Sequence, residues 1–155
     1  MPAPTILVHY GTYQPLWRAP GLIQVGLRMV NGPDSLNIQE PSVAAIQRAL
    51  RSAGLPVQGI LLHYTDPFIM RSQPLRGLRE WHGPRLLACG DLHHGSAPIQ
   101  TLTAYMDVEP HHAVLLTFNP SLVPSVQQQI RVPVRSLPPS FFRYPSAAPV
   151  VERRL

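Results

Sequence analysis

Lysine is absent from this 155-residue chain, and all 13 basic residues are arginines scattered from Arg18 to Arg154. The formal charge of +5 is therefore not gathered into a basic run, which argues against a nucleic-acid interface. Without lysine there is also no P-loop, and Gly11 alone in the first strand-to-loop turn leaves no Gly-x-Gly-x-x-Gly for a dinucleotide. Cys89 is the only cysteine, so an intrachain disulfide and a multi-cysteine zinc site are excluded. It sits in an apolar stretch, where it reads as a small buried hydrophobe rather than a nucleophile, and no serine lies in Gly-x-Ser-x-Gly. No apolar run approaches the roughly 18 residues of a membrane span, and the N-terminus lacks a basic segment followed by an apolar one. The expectation is a cytoplasmic protein without a membrane span.

What is present is a set of short apolar runs: Ile6 to Val8, Ile60 to Leu62, Leu86 to Ala88 and Ala113 to Leu116. Runs of this length bounded by turn residues suit strands buried on both faces. Between them the spacing predicts a helix over Pro41 to Ala53, stopped by Gly54, a second from Pro74 to Trp81, and a third after Ser96 carrying Ile99, Leu102 and Met106. Asn119-Pro120 is placed to cap a short helix reaching Ile130, with Pro124 able to shift its start by a turn, and Val132 to Leu137 suits a fifth strand. Alternation of strand and helix forces parallel pairing through right-handed crossovers. The predicted fold is thus a Rossmann-like three-layer α/β domain over residues 1–137, with a mostly parallel sheet of about five strands. Residues 138–155, rich in proline and small side chains, form a linker-like tail. Residues Gly11 to Glu40 stay open: Ile23, Val25, Leu27 and Met29 fit a strand, while Leu22, Val25 and Met29 also fit a helix.

In a parallel sheet every strand presents its carboxyl end at one edge, so the residues after each run should converge. They are His9, Tyr10, Gly11, Thr12 and Tyr13; then His63, Tyr64, Thr65 and Asp66; then Gly90 to Gly95; then Thr117 to Pro120. Imidazole, carboxylate, phenol and amide groups gathered there suit a pocket lining. The candidate ligand-binding residues are His9, Tyr10, Gly11, Tyr13, His63 and Asn119. Asp91, His93 and His94 are the candidate catalytic residues, histidine being suited to base work near neutral pH. Of the adjacent His93 and His94, one should face the crevice. Gly90-Asp91-Leu92-His93 is also similar to the Gly-Asp-x-His turn of metallophosphoesterases, but the Asp-x-His and Gly-Asn-His turns of that family are missing, and no metal ligand is assigned.

The order of elements, the Gly90-Asp91-Leu92-His93-His94-Gly95 turn, Pro98-Ile99-Gln100 and the strand Ala113 to Phe118 with Asn119-Pro120 resemble the N-terminal half of GT-B glycosyltransferases of the spore-maturation (CgeB-like) type. Pro138 to Pro145 is similar to the crossing between the halves of such enzymes. The resemblance covers most of residues 5–145. It implies a sugar or glycosylated acceptor along the strand-end edge, and a nucleotide-sugar donor bound by a second, C-terminal half rather than by this chain, which would hold no cofactor itself. On that view the chain is a fragment, a truncated copy or one part of a split protein, inactive in isolation. Two other readings stand beside it: a non-enzymatic binding module that docks a protein partner through Phe141, Phe142 and Tyr144 and the flank of the sheet, and a small metal-dependent hydrolase.

Overall fold

The computed structural model describes residues 3–9, 19–93 and 95–137. Tyr10 to Arg18, His94 and the tail from Pro138 lie outside the described residues. Seven strands form one sheet: β1 (Thr5–Val8), β2 (Leu22–Leu27), β3 (Ser35–Ile38), β4 (Ile60–Thr65), β5 (Arg85–Cys89), β6 (Ala113–Leu116) and β7 (Val134–Ser136). Every neighbouring pair is parallel, in the order β3-β2-β1-β4-β5-β6-β7. The fold is Rossmann-like α/β, as the alternation of elements implied, but with seven strands rather than five. The two extra strands come from the stretch left open: its period-two pattern is β2, and the short Ser35–Ile38 follows as the edge strand β3.

Four α-helices accompany the sheet among the described residues: α1 (Val43–Ser52), α2 (Pro67–Ser72), α3 (Pro98–Val108) and α4 (Val123–Gln127). α1 begins two residues after Pro41, because Ser42 supplies the cap, its hydroxyl accepting the Ala45 N–H at 3.1 Å. Gly54 ends it with a φ of 68°, a left-handed conformation that favours glycine. The expected helix from Pro74 to Trp81 is instead an irregular segment with one 3-10 turn at Leu78–Glu80. Gly77, at φ 79°, interrupts it. The true helix of this region is α2, unheralded by periodicity at six residues but capped by Asp66, with Pro67 in its first turn.

Side-chain alternation divides the core. Ile6, Val8, Ile23, Val25, Leu36, Ile38 and Leu61 pack with Val43, Ile46 and Leu50 of α1 and with Leu75, Leu78 and Trp81. On the same face further along, Leu87, Cys89, Val114, Leu116 and Val134 pack with Met70, Leu102, Met106 and Val126 from α2, α3 and α4. The opposite face carries Leu7, Leu62 and Ala88, with Leu22, Tyr64, Leu86 and Leu115 around them. None of the described helices contributes to that second cluster.

Gly26 of β2 lies against the backbone of His9, just after β1. An ideal Cβ there would sit 2.6 Å from the His9 carbonyl oxygen, and the His9 N–H donates to the Val25 carbonyl at 3.1 Å. Backbone cannot yield as a side-chain tip can. Gly26→Ala is therefore expected to destabilise the fold by about 1–3 kcal/mol, measured by urea unfolding, whereas Gly54→Asn, at an open left-handed site, should cost far less.

Candidate functional site

The strand order reverses between β1 and β4, since β2 and β3 extend to one side of β1 and β4 to β7 to the other. In open α/β sheets ligands bind outside the carboxyl ends near such a reversal. A cavity of about 160 Å³ lies at that edge, lined by Tyr64, Thr65, Asp66, Ile69, Gly90, Asp91 and Phe118. It spans the ends of β4, β5 and β6. Gly90 forms its floor, tied to the sheet by its N–H donating to the Thr65 carbonyl at 2.7 Å; a Cβ there would press on Asp66 at 3.3 Å.

Two carboxylates share this cavity, each oriented by one oxygen. Asp66 Oδ1 accepts the Ile69 N–H at 2.9 Å as the α2 cap, and Asp91 Oδ1 accepts the His93 N–H at 2.7 Å across a tight turn. Their field reaches Cys89 behind the edge. Burial above all, with the charges of Asp66 and Asp91 adding to it, pushes its thiol up to about 12. Cys89 is therefore a neutral core residue, as its apolar surroundings in the sequence implied. The last wall of the cavity is Phe118, 62% exposed.

Of the candidate catalytic residues, Asp91 lines the cavity and His93 stands beside it, exposed. Asn119, a candidate ligand-binding residue, is buried and clasps the β5 and β6 loops together. With its amide turned to satisfy both ends, its oxygen accepts the Leu92 N–H at 3.0 Å. Its nitrogen donates to His93 Nε2 at 2.8 Å and to the Phe118 carbonyl at 3.3 Å. The His93 ring thus takes part in the clasp. His94, Tyr10, Gly11 and Tyr13 lie outside the described residues.

Two of the remaining candidates are not at the cavity. His9 follows β1 at the correct edge but is fully buried beside Gln24, and burial lowers it to about 4 against an opposing hydrogen bond from that side chain. His63 was expected in a loop; β4 instead continues through Thr65, which places His63 inside the strand, opposite Val8 and Leu87. Alternation turns it to the helical face, where its ring stacks on His111 at 5.6 Å with 14° between planes. Tyr105 completes the cluster. Its hydroxyl donates to the Leu75 carbonyl at 2.8 Å and faces His63 Nδ1 at 3.4 Å. Burial holds His63 well below its ordinary value, with the charge of His111 adding to it, and burial brings His111 to about 4. His111, which with His112 precedes β6, gave no sign of this role in the sequence.

Asp66 and Phe118 were legible as edge residues but not as the two sides of one cavity. Among the described residues no group of three His, Cys, Asp or Glu side chains is arranged to hold a metal ion. No helix among them is long and apolar enough to cross a membrane. No family model, curated protein or solved structure matches the chain.

Two outcomes follow. The clasp predicts that Asn119→Ala lowers the unfolding free energy by about 1–3 kcal/mol, because it strands the Leu92 N–H, and that His93→Ala costs less, because Asn119 keeps the other partners. Denaturant melts of both variants check the order. The buried imidazoles predict acid sensitivity. Unfolded histidine binds a proton near pH 6.5, whereas folded His9 and His111 do so only near 4, so stability falls as pH drops through this window. The slope is roughly 1.4 kcal/mol per pH unit for each buried histidine. Urea unfolding at pH 7, 5.5 and 4.5 should show it, and His111→Phe should flatten the profile by one histidine's share.

Proposed function

We propose that this domain is the acceptor side of a glycosyltransferase-like protein and that the carboxyl-edge cavity binds a neutral sugar. One observation carries the reading: Asp66 and Asp91 face a single small cavity walled by the exposed ring of Phe118. Carboxylates accept hydrogen bonds from hydroxyls strongly, and an aromatic face covers the C–H surface of a sugar ring. Two negative charges in one cavity repel phosphate. The site therefore suits the hydroxyl-bearing acceptor rather than the diphosphate of a nucleotide-sugar, in keeping with the absence of a glycine-rich phosphate loop. The cavity holds about five waters' share of liquid volume, which matches one small polyol ring.

In this reading Asp91 accepts the proton of the reacting hydroxyl, and Asp66, fixed by its capping bond, orients a neighbouring one. The nucleotide-sugar donor is held by a second domain facing the same edge, as the resemblance to GT-B enzymes implies. The protein should bind free monosaccharides weakly, with nuclear magnetic resonance shifts at Gly90, Asp91 and Phe118. Asp91→Asn and Phe118→Ala should each weaken binding about tenfold. Nucleotides binding at this cavity, or sugar affinity untouched by both substitutions, would overturn the proposal.

A further inference from the structure

Away from the strand-end edge, α2 and α3 leave a groove of about 640 Å³ between them on the helical side of the sheet. None of its lining residues belongs to the carboxyl-edge cavity. Its wall on α3 is Thr101, Ala104, Tyr105 and Val108, spaced three and four apart and so on one stripe of the helix. Met70 and Pro74 supply the apolar surface opposite. Val108 is 67% exposed, an apolar side chain with water where a partner would fit.

The charge along this groove is net positive, two arginines against one glutamate. Arg71 and Arg76 lie on it, both exposed. The Arg71 guanidinium is pre-oriented, donating to Thr101 Oγ1 at 2.8 and 3.1 Å and to the Ser96 carbonyl at 2.9 Å. Among the described residues lining the groove the one acidic side chain is Glu109, whose carboxylate oxygens accept the N–H groups of Gly77 at 3.1 Å and Leu78 at 2.9 Å, turning it toward that loop while it keeps its charge. An apolar trough with two arginines against one carboxylate, itself turned toward the Gly77–Leu78 backbone, complements a molecule with an apolar body and an anionic head. Its volume falls within the few hundred to about 1,000 Å³ common for small-molecule sites.

We infer that the α2–α3 groove binds an anionic amphiphile, its alkyl chain lying on Met70, Ala104 and Val108 and its carboxylate paired with Arg71 and Arg76. This site is independent of the sugar reading and stands or falls separately. The test is titration of the whole chain with decanoate, and with a neutral decyl ether of polyethylene glycol, followed by calorimetry and by amide and methyl resonances. Decanoate should bind and shift Met70, Ala104 and Val108 while leaving Gly90 and Asp91 unmoved, and the neutral ether should bind at least about tenfold more weakly. Replacing both arginines, Arg71→Ala with Arg76→Ala, should weaken decanoate about tenfold. Val108→Asp, at a position 67% exposed, should do the same by opposing both chain and head, with a thermal melt showing that the variant is folded. Equal binding of the neutral ether, affinity for decanoate within about a factor of two in both variants, or shifts confined to the other face of the sheet would overturn the inference. So would capture of an acidic helical peptide with no response to decanoate.

Discussion

Because β1 pairs in parallel with β2 on one side and with β4 on the other, all seven strands point the same way and their order turns back on itself at β1. The carboxyl-edge cavity depends on that constraint. Parallel pairing sends each connection back over the sheet, so the polar residues that end β4, β5 and β6 meet at one edge although about 50 residues of chain separate Asp66 from Phe118. Closeness at that edge is held by two backbone hydrogen bonds, Gly90 to Thr65 and Thr117 to Cys89, and by the Asn119 side-chain clasp to Leu92. The cavity is small because these loops are drawn together.

Polar groups are handled differently at the edge and in the interior. At the edge Asp66 and Asp91 are half-buried and each spends an oxygen on a backbone N–H, which orients the carboxylate without neutralising it. In the interior His63, His111 and Tyr105 sit where the two halves of the helical-side core meet, and there the imidazoles are kept neutral by burial. The same residue type thus serves opposite ends: His93 in the open turn is part of a loop clasp, and His63 in the strand is part of the core.

Much of the architecture was legible in the sequence. The four apolar runs are four of the seven strands, because a strand buried on both faces has no need of polar alternation. Gly54 marks the end of α1 by chemistry that acts within one turn, so its meaning survives without knowledge of the fold, whereas the caps Ser42 and Asp66 do not show in the spacing, which starts α1 at Pro41 and places no helix after Asp66. The period-two pattern at Ile23 and Val25 could not be separated from a helical one by spacing alone; pairing with β1 decided it. The six residues of α2 are too few for periodicity to register, and the helix depends on packing against α3 rather than on its own propensity.

The candidate site divides along the same line. That polar residues gather at the strand ends follows from sequence order together with parallel pairing, and Asp91 was found that way. Which of those residues face the cavity is a matter of where each strand stops and which way its alternation points, and those are decided by neighbours. Three more residues of extended chain in β4 turned His63 from a loop ligand into a core ring stacked on His111, and left Asp66 as the first group free to cap α2 and line the edge. The sequence by itself determined five of the seven strands, the helices that became α1, α3 and α4, their alternation and the chemistry available at the edge, because those are local properties of residues and their spacing. Only the tertiary structure decided that Asp66, Asp91 and Phe118 share one cavity, that Asn119 holds the loops, and that Arg71 and Arg76 lie along an apolar groove, because each is a contact between segments that spacing alone does not connect.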